Sequence, residues 1–245
     1  PLDKPVVAIF PNTPLEQLQG IAENVVLAQT LSEGAEQAFS LASGNAFDRT
    51  LFYESPQTRS PRMRERAKLA PSQRYLRALF SGGTLCYEAM YICLQRINSI
   101  YSNIPLRPAW ELAPGEHFHE HTALDLGTDE FTRGKPHPMI DPSLRLSYLE
   151  QAAADPQTAV VLMDIVLGYC AHPDPASVFA PVIASLQEAA SAAGRSLPVI
   201  ISLCGTERDP QSFSRQRAAL EAAGAYVYRS NVQAALSAAS IVDQL

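Results

Sequence analysis

The sequence of 245 residues lacks long apolar runs, a basic excess and closely spaced cysteines. No uninterrupted apolar run approaches the roughly 20 residues that a membrane-spanning helix needs, and no basic region precedes an apolar one near the start. The formal net charge of −6 provides no general attraction to nucleic acid or anionic lipid. We therefore expect a cytoplasmic protein with neither a membrane nor a nucleic acid among its partners.

The four cysteines, Cys86, Cys93, Cys170 and Cys204, have none of the spacings of a zinc ribbon or a Cys-x-x-Cys redox pair. Cys86 falls in the first turn of a predicted helix, where a thiolate would be favoured, so a cysteine nucleophile is one interpretation. A metal site that combines Cys86, Cys170 and Cys204 with His172 is another interpretation. Because free cysteine is commonly buried, packing as a small apolar side chain is the favoured interpretation.

Three histidines alternate along one short segment, at His117, His119 and His121. Two or three histidines spaced in this way can bind zinc or another divalent metal. No matching distant ligand is evident in the sequence. We therefore expect a charged surface loop and no metal site.

What the sequence does contain is three apolar, β-rich runs that end at glycine and precede a helix-like segment. They span residues 76–83, 159–168 and 197–205. Such runs are typical of strands that are buried on both faces. Their alternation with helices predicts an α/β fold with a parallel sheet covered by helices on both sides.

Periodicity and turn signals predict the individual elements. Strands are expected at residues 4–10, 24–30, 76–80, 122–126, 158–165, 197–203 and 225–228, and helices at 32–43, 84–97, 142–154, 175–193, 210–223 and 232–242, with a short helix or loop at 14–20. These elements divide the chain into a partial βαβα segment at 1–45, a linker with a basic helix at 46–75, and a larger domain at 76–245.

Proline and glycine support most of the helix boundaries. Asp141, Asp174 and Asp209 each precede a proline, which predicts a capped helix start. Pro181 conflicts with the helix predicted at 175–193, because an internal proline either kinks a helix or marks its true start.

The glycine ends predict an anion site at the carboxyl edge of the sheet, where open α/β sheets bind ligands. The first of these ends comprises Ser81, Gly82, Gly83 and Thr84. Its amides and hydroxyls could bind a phosphate or carboxylate at a helix N-terminus. A tight capped turn is the alternative. The later ends contribute Gly168, Gly205, Thr206 and Glu207. We expect the three ends to surround a single anion.

The loop at residues 125–142 carries Arg133, Lys135 and His137 on alternate positions. In an extended conformation the three side chains would project to the same side and offer two cations and an imidazole to an anionic substrate. A solvated loop is the alternative. A functional loop is favoured, because loops of this length in compact domains usually have a function.

Four segments resemble the C-terminal half of FdrA-type proteins, which are relatives of succinyl-CoA synthetase. They are FSGGTLCYEAM at 80–90, DLGTDEFTRGKPHPMIDPSLR at 125–145, VVLMDIVLGYCAHPDP at 160–175 and SLCGTERDPQ at 202–211. The resemblance implies a flavodoxin-like, doubly wound ligase domain in which a glycine-started helix points its N-terminus at a phosphorylated intermediate. By that resemblance Gly82, Gly83 and Thr84 open the corresponding helix.

The sequence also departs from the wider synthetase pattern. It has no Gly-His-Ala-Gly-type motif for a phosphorylated histidine, no ATP-grasp domain and no glycine fingerprint of a CoA-binding Rossmann domain. Complete FdrA-type proteins carry a CoA-binding-like domain upstream, so we expect this chain to begin partway through a preceding ligase-like domain and any CoA to bind through the missing part. The strand at 4–10 would have unpaired edges, so we expect its neighbours to come from an upstream segment, a partner subunit or a second copy.

The activity that the resemblance implies is carbamoyl transfer in allantoin breakdown, from oxalurate and phosphate to oxamate and carbamoyl phosphate. Arg133 is the first candidate for binding the carboxylate of oxamate and Lys135 the second, and His137 is the candidate general acid or base. An acyl-CoA synthetase subunit that uses CoA and a nucleotide is the alternative enzyme. A non-catalytic assembly subunit is the third interpretation.

Overall fold

The computed structural model describes residues 4–10, 20, 24–48 and 64–243. The chain divides into two compact units, residues 1–56 and residues 57–245. The short helix or loop expected at 14–20, apart from residue 20, and half of the linker expected at 46–75 (residues 49–63) lie outside the described residues.

The first unit contains two parallel strands and one helix among its described residues. Strand β1 (Val6–Ile9) pairs in register with β2 (Val25–Ala28). Helix α1 (Leu31–Ser43) begins after Thr30, whose hydroxyl accepts a hydrogen bond from the Glu33 amide at 3.1 Å, and ends at Gly44 in the left-handed conformation. The two strands and the helix predicted for this segment are confirmed.

The second unit is built on a six-stranded sheet in which every described pairing is parallel, with the strand order β4-β5-β3-β6-β7-β8. The strands are β3 (Tyr75–Phe80), β4 (Tyr101–Ser102), β5 (Thr122–Asp125), β6 (Thr158–Val166), β7 (Val199–Cys204) and β8 (Tyr226–Tyr228). The central strands β3, β6 and β7 are almost entirely buried, as their continuous apolar sequence predicts.

Helices cover both faces of this sheet. They are α2 (Gly83–Cys93), α3 (Asp129–Thr132), α4 (Ser143–Ala154), α5 (Pro175–Ala192), α6 (Phe213–Ala222) and α7 (Asn231–Val242). Alternate strand residues such as Leu79, Met163 and Ile201 join the core that includes α4, α5 and α6. Helices α2 and α7 pack against each other, and α7 also packs against β6 and β7. The predicted doubly wound, flavodoxin-like α/β fold is confirmed.

Several predicted boundaries differ from the structure. Helix α2 ends at Cys93 rather than near residue 97, α6 begins at Phe213 rather than at residue 210, and neither the two-residue strand β4 nor the one-turn helix α3 was expected. Pro181 lies inside α5, which nevertheless begins at Pro175 after the capping residue Asp174. Among the described residues, no helix is both long and apolar enough to cross a membrane.

Candidate functional site

The strand order brings the three predicted glycine ends to one edge of the sheet. Strands β3, β6 and β7 are parallel neighbours, so the residues that follow them, Gly83, Gly168 and Gly205, lie along the same carboxyl edge. Strand β5 adds Asp125 at this edge, beside β3. The arrangement is the one at which α/β sheets of this type bind ligands.

The turn from β3 into α2 offers open backbone amides. Gly82 occupies the N-cap position and no side chain caps the helix there. The amides of Gly83, Thr84 and Leu85 belong to the first helical turn, which has no intrahelical acceptors, and none of them has a hydrogen-bond partner among the described residues. Three convergent donors at a helix N-terminus are suited to an oxyanion.

A buried network fixes the residue before this turn. The amide and hydroxyl of Ser81 donate to the carboxylate of Asp164 at 2.9 and 2.5 Å. Arg145, only 2% exposed, donates to the same carboxylate at 2.9 Å and to the Leu79 carbonyl at 3.1 Å. Burial lowers the pKa of Arg145, and the Asp164 charge opposes that shift. The predicted role of the Ser81 hydroxyl as a ligand donor is therefore corrected, because that hydroxyl donates inward.

The glycines after β6 and β7 have internal roles. The Gly168 amide donates to Gln211 Oε1 at 3.1 Å, and Gln211 Nε2 donates back to the Gly168 carbonyl at 2.7 Å. A Cβ atom at Gly205 would lie 2.8 Å from the Cβ of Leu167, so glycine there permits close packing. The Gly168 amide is therefore not free for an anion, which corrects that expectation. The Gly205 amide has no hydrogen-bond partner among the described residues, so its role in ligand binding stays a prediction.

Thr206 and Glu207 are engaged in local turns. The Thr206 amide and hydroxyl both donate to Asp209 Oδ2, at 2.6 and 3.1 Å. Glu207 accepts from the amide and hydroxyl of Ser214 at 2.9 and 3.0 Å and so caps the start of α6. The carboxylate expected to act on a ligand thus stabilises a helix instead, and Asp209 closes a turn rather than starting the helix.

The end of β5 supplies an acidic group that the glycine pattern did not predict. Asp125 is 6% exposed, and its Oδ1 accepts the Gly127 amide at 2.8 Å. Its Oδ2 has no hydrogen-bond partner among the described residues and lies 3.2 Å from the position that a Cβ at Gly83 would take. The Asn103 side chain holds the backbone of Asp125, with both hydrogen bonds at 2.9 Å.

Burial raises the pKa of Asp125. The Gly127 amide opposes that shift, the charge of Asp164 adds to it, and His137 lowers the pKa. The sequence did carry a signal for Asp125, namely an acidic residue near the end of an apolar strand and two residues before Gly127.

His137 belongs to the same edge. Its Nδ1 accepts the Met139 amide at 3.3 Å, which leaves Nε2 as the nitrogen that carries the proton in the neutral ring. Nε2 lies 2.9 Å from the position that a Cβ at Gly127 would take, so this nitrogen faces the turn that holds Asp125. The role of His137 as a general acid or base stays a prediction.

Arg133 and Lys135 are exposed on the loop that leads to His137, and the structure gives neither side chain a polar partner among the described residues. The loop does not have the extended conformation in which the three side chains would project to the same side. Arg133 directly follows α3, and Gly134 turns the chain with a φ of 72°. The two cations therefore do not alternate along an extended segment.

The cysteines and the histidine segment show no catalytic arrangement. Burial raises the pKa of the Cys86 thiol well above its ordinary value, and nearby carboxylates raise it further, so the thiolate expected in the first turn of α2 is disfavoured. His117 and His119 contact Gln151 and Glu116 respectively. His121 Nδ1 accepts the Leu76 amide. No group of three or more potential metal ligands occurs among the described residues.

Comparison with known proteins agrees with this fold. Residues 79–241 match the family described as CoA-ligase. The chain is also 41% identical over 177 residues to a protein of Escherichia coli strain K12 described as "Uncharacterized protein YahF". The aligned part covers 72% of this chain and 34% of that relative, so the chain spans about a third of the relative's length.

Proposed function

The chain belongs to the CoA-ligase family, and on this premise we propose that it is the ligase-like part of an FdrA-type enzyme that binds an acyl or carbamoyl phosphate. The family is consistent with a succinyl-CoA synthetase-like role. The observation that carries the proposal is the start of α2, where three amides without partners among the described residues lie at the carboxyl edge of the parallel sheet. Their geometry suits a phosphate oxygen.

The reaction that we propose is oxamate carbamoyl transfer. A phosphate oxygen forms a bond to the carbamoyl carbon of oxalurate, and the bond from that carbon to the nitrogen that bridges it to the oxamate part breaks. The bridging nitrogen leaves with oxamate and takes a proton. The α2 amides stabilise the charge on the transferred group. His137, with its Nε2 towards the site, supplies the proton, and Arg133 or Lys135 binds the carboxylate of oxamate.

The alternative enzyme is an acyl-CoA synthetase subunit, which the family match favours by its description. That activity requires CoA and a nucleotide, and we propose that any CoA would be bound by a domain outside this chain. The proposed partners are an upstream FdrA-like domain, a separate subunit or a second copy.

The test is calorimetric titration of the chain with phosphate, carbamoyl phosphate and CoA, followed by an assay of phosphate-dependent oxalurate cleavage with the completing domains present. Gly83→Val is expected to weaken phosphate binding by at least about tenfold, because its side chain would enter the space beside Asp125 Oδ2. Arg133→Ala is expected to raise the KM for oxamate in the reverse reaction.

Arg217→Ala is the matched control for Arg133→Ala, because Arg217 is an exposed arginine on α6 that pairs with Glu221. It is expected to leave both measurements unchanged. Turnover that depends on CoA and nucleotide but not on oxalurate would contradict the proposed carbamoyltransferase activity and support the acyl-CoA synthetase alternative. Absence of heat with every ligand would instead support a non-catalytic assembly subunit.

A further inference from the structure

Asp125 has an oxygen directed at the open end of α2. The residue is almost fully buried, and one carboxylate oxygen is held by Gly127. The other oxygen, Oδ2, has no hydrogen-bond partner among the described residues and lies beside Gly83. Solvent still reaches this oxygen, so it is open to a ligand or a proton.

The groups around Asp125 make an additional anion unfavourable while Asp125 is ionised. Asp164 on β6 brings a second carboxylate near, although Arg145 and Ser81 pair with it. His137 faces Asp125 from the loop after α3, and the buried thiol of Cys86 lies on α2. An oxyanion on the α2 amides would therefore meet the negative charge of Asp125 at close range.

We propose that Asp125 binds a proton together with the anion, so that its carboxyl group donates a hydrogen bond from Oδ2 to an oxygen of a phosphate-class ligand on the α2 amides. The proposal rests on the anion site proposed above and identifies the residue that sets its pH range. Above the pKa of Asp125 in the free site, one proton is taken up from solvent for each anion bound. The hydrogen bond between a carboxyl group and an anionic oxygen belongs to the strong, charge-assisted class.

Burial and the neighbouring carboxylate raise the pKa of Asp125 above its ordinary value, which makes proton uptake accessible at milder pH. The bound anion would raise this pKa further. By linkage, the affinity for the anion is then greatest where Asp125 is protonated and falls as the pH rises through the pKa of the free site.

Sulfate is the probe of choice, because it keeps its charge over the pH range in which phosphate itself titrates. Its affinity for the full chain is measured by calorimetry from about pH 4 to about pH 8. Above the pKa of Asp125 in the free chain, the affinity is expected to fall by about tenfold for each pH unit. Titrations in two buffers of different ionisation enthalpy are expected to show uptake of about one proton in that range.

Asp125→Asn preserves the shape, retains an acceptor for the Gly127 amide and always presents a donor. It is expected to bind sulfate with an affinity that hardly changes with pH and that exceeds the wild-type affinity at neutral pH. Asp129→Asn, an exposed aspartate at the start of α3, is the matched control and is expected to follow the wild type. Far-ultraviolet circular dichroism verifies that each variant is folded.

The outcomes separate the two proposals. Sulfate binding by the wild type that does not change with pH, or weaker binding by Asp125→Asn at neutral pH, overturns the role of Asp125 and leaves the anion site standing. Loss of the pH dependence in His137→Gln but not in Asp125→Asn places the proton on the imidazole and also overturns it. Failure of the wild type to bind sulfate, phosphate or carbamoyl phosphate at any pH overturns the anion site and this inference together.

Discussion

At the residue scale, burial shifts the pKa of several polar side chains of this protein. His121 illustrates this most clearly. Its Nδ1 accepts the Leu76 amide at 3.1 Å, so the folded state requires an unprotonated Nδ1. Burial lowers the pKa of His121 to about 4, and the positive charge of Arg77 contributes.

This environment predicts a pH-dependent stability. The folded pKa is below the unfolded value, so the contribution of His121 is complete above about pH 6.5 and is lost as the pH falls towards about 4. Between pH 7 and pH 5, His121 should account for a loss of about 2 kcal/mol in the free energy of unfolding. Urea unfolding of the wild type and of His121→Gln at both pH values measures this. The difference in the free energy of unfolding between pH 7 and pH 5 should be smaller in His121→Gln than in the wild type by about 2 kcal/mol.

His119→Gln provides the comparison, because His119 lies on the same segment with its side chain 44% exposed. It should retain the pH dependence of the wild type. An unchanged difference between pH 7 and pH 5 in His121→Gln would show that other groups produce the loss.

At the element scale, helix α5 contains a residue that cannot contribute its share of backbone hydrogen bonds. Pro181 lies on its exposed side and has no amide hydrogen for the carbonyl one turn earlier. Asp174 caps the helix start by accepting from the Ser177 amide, and the buried residues Phe179 and Ile183 anchor the helix on the core. Capping and packing together hold the helix through the proline.

Pro181→Ala should therefore stabilise the protein by about 1 to 3 kcal/mol, because it restores an amide and a strong helix former. Pro175→Ala is the matched control and should give no comparable gain, since a first-turn amide has no acceptor within the helix. Denaturant unfolding measures both. Equal or lower stability of Pro181→Ala would mean that the helix is already adapted to the proline.

The sequence predicted elements better than it predicted the roles of individual polar groups. Apolar runs ending at glycine located β3, β6 and β7, because a strand buried on both faces needs a continuous apolar sequence. Glycine alone, however, marks a turn and does not reveal whether its amide is free. The partner of Gly168 is Gln211, which lies 43 residues further along the chain and could not be assigned from local sequence.

At the scale of the whole molecule, the two units differ in how much core they can form. Residues 57–245 enclose a six-stranded sheet between helices, whereas the described part of residues 1–56 holds two strands and a helix. Two strands with a single helix bury little apolar surface, and structures of that size are marginally stable in water.

A fragment of residues 57–245 should therefore unfold cooperatively with a midpoint within a few degrees of the transition of the larger unit in the full chain. A peptide of residues 1–56 should show no cooperative transition on its own. Calorimetry of the three molecules checks this. A fragment of residues 57–245 that melts without cooperativity would show that its core depends on the preceding segment.

The Asn103 side chain also affects how the molecule behaves at high concentration. Only Tyr101 and Ser102 of β4 pair with β5. The last residues of β5 would otherwise expose unpaired backbone amides and carbonyls to a strand of a neighbouring molecule. Asn103 occupies both backbone groups of Asp125 at that position, and at the opposite border β8 has only three residues. Both borders of the large sheet are thus poor templates for strand addition, which protects the protein against edge-to-edge aggregation.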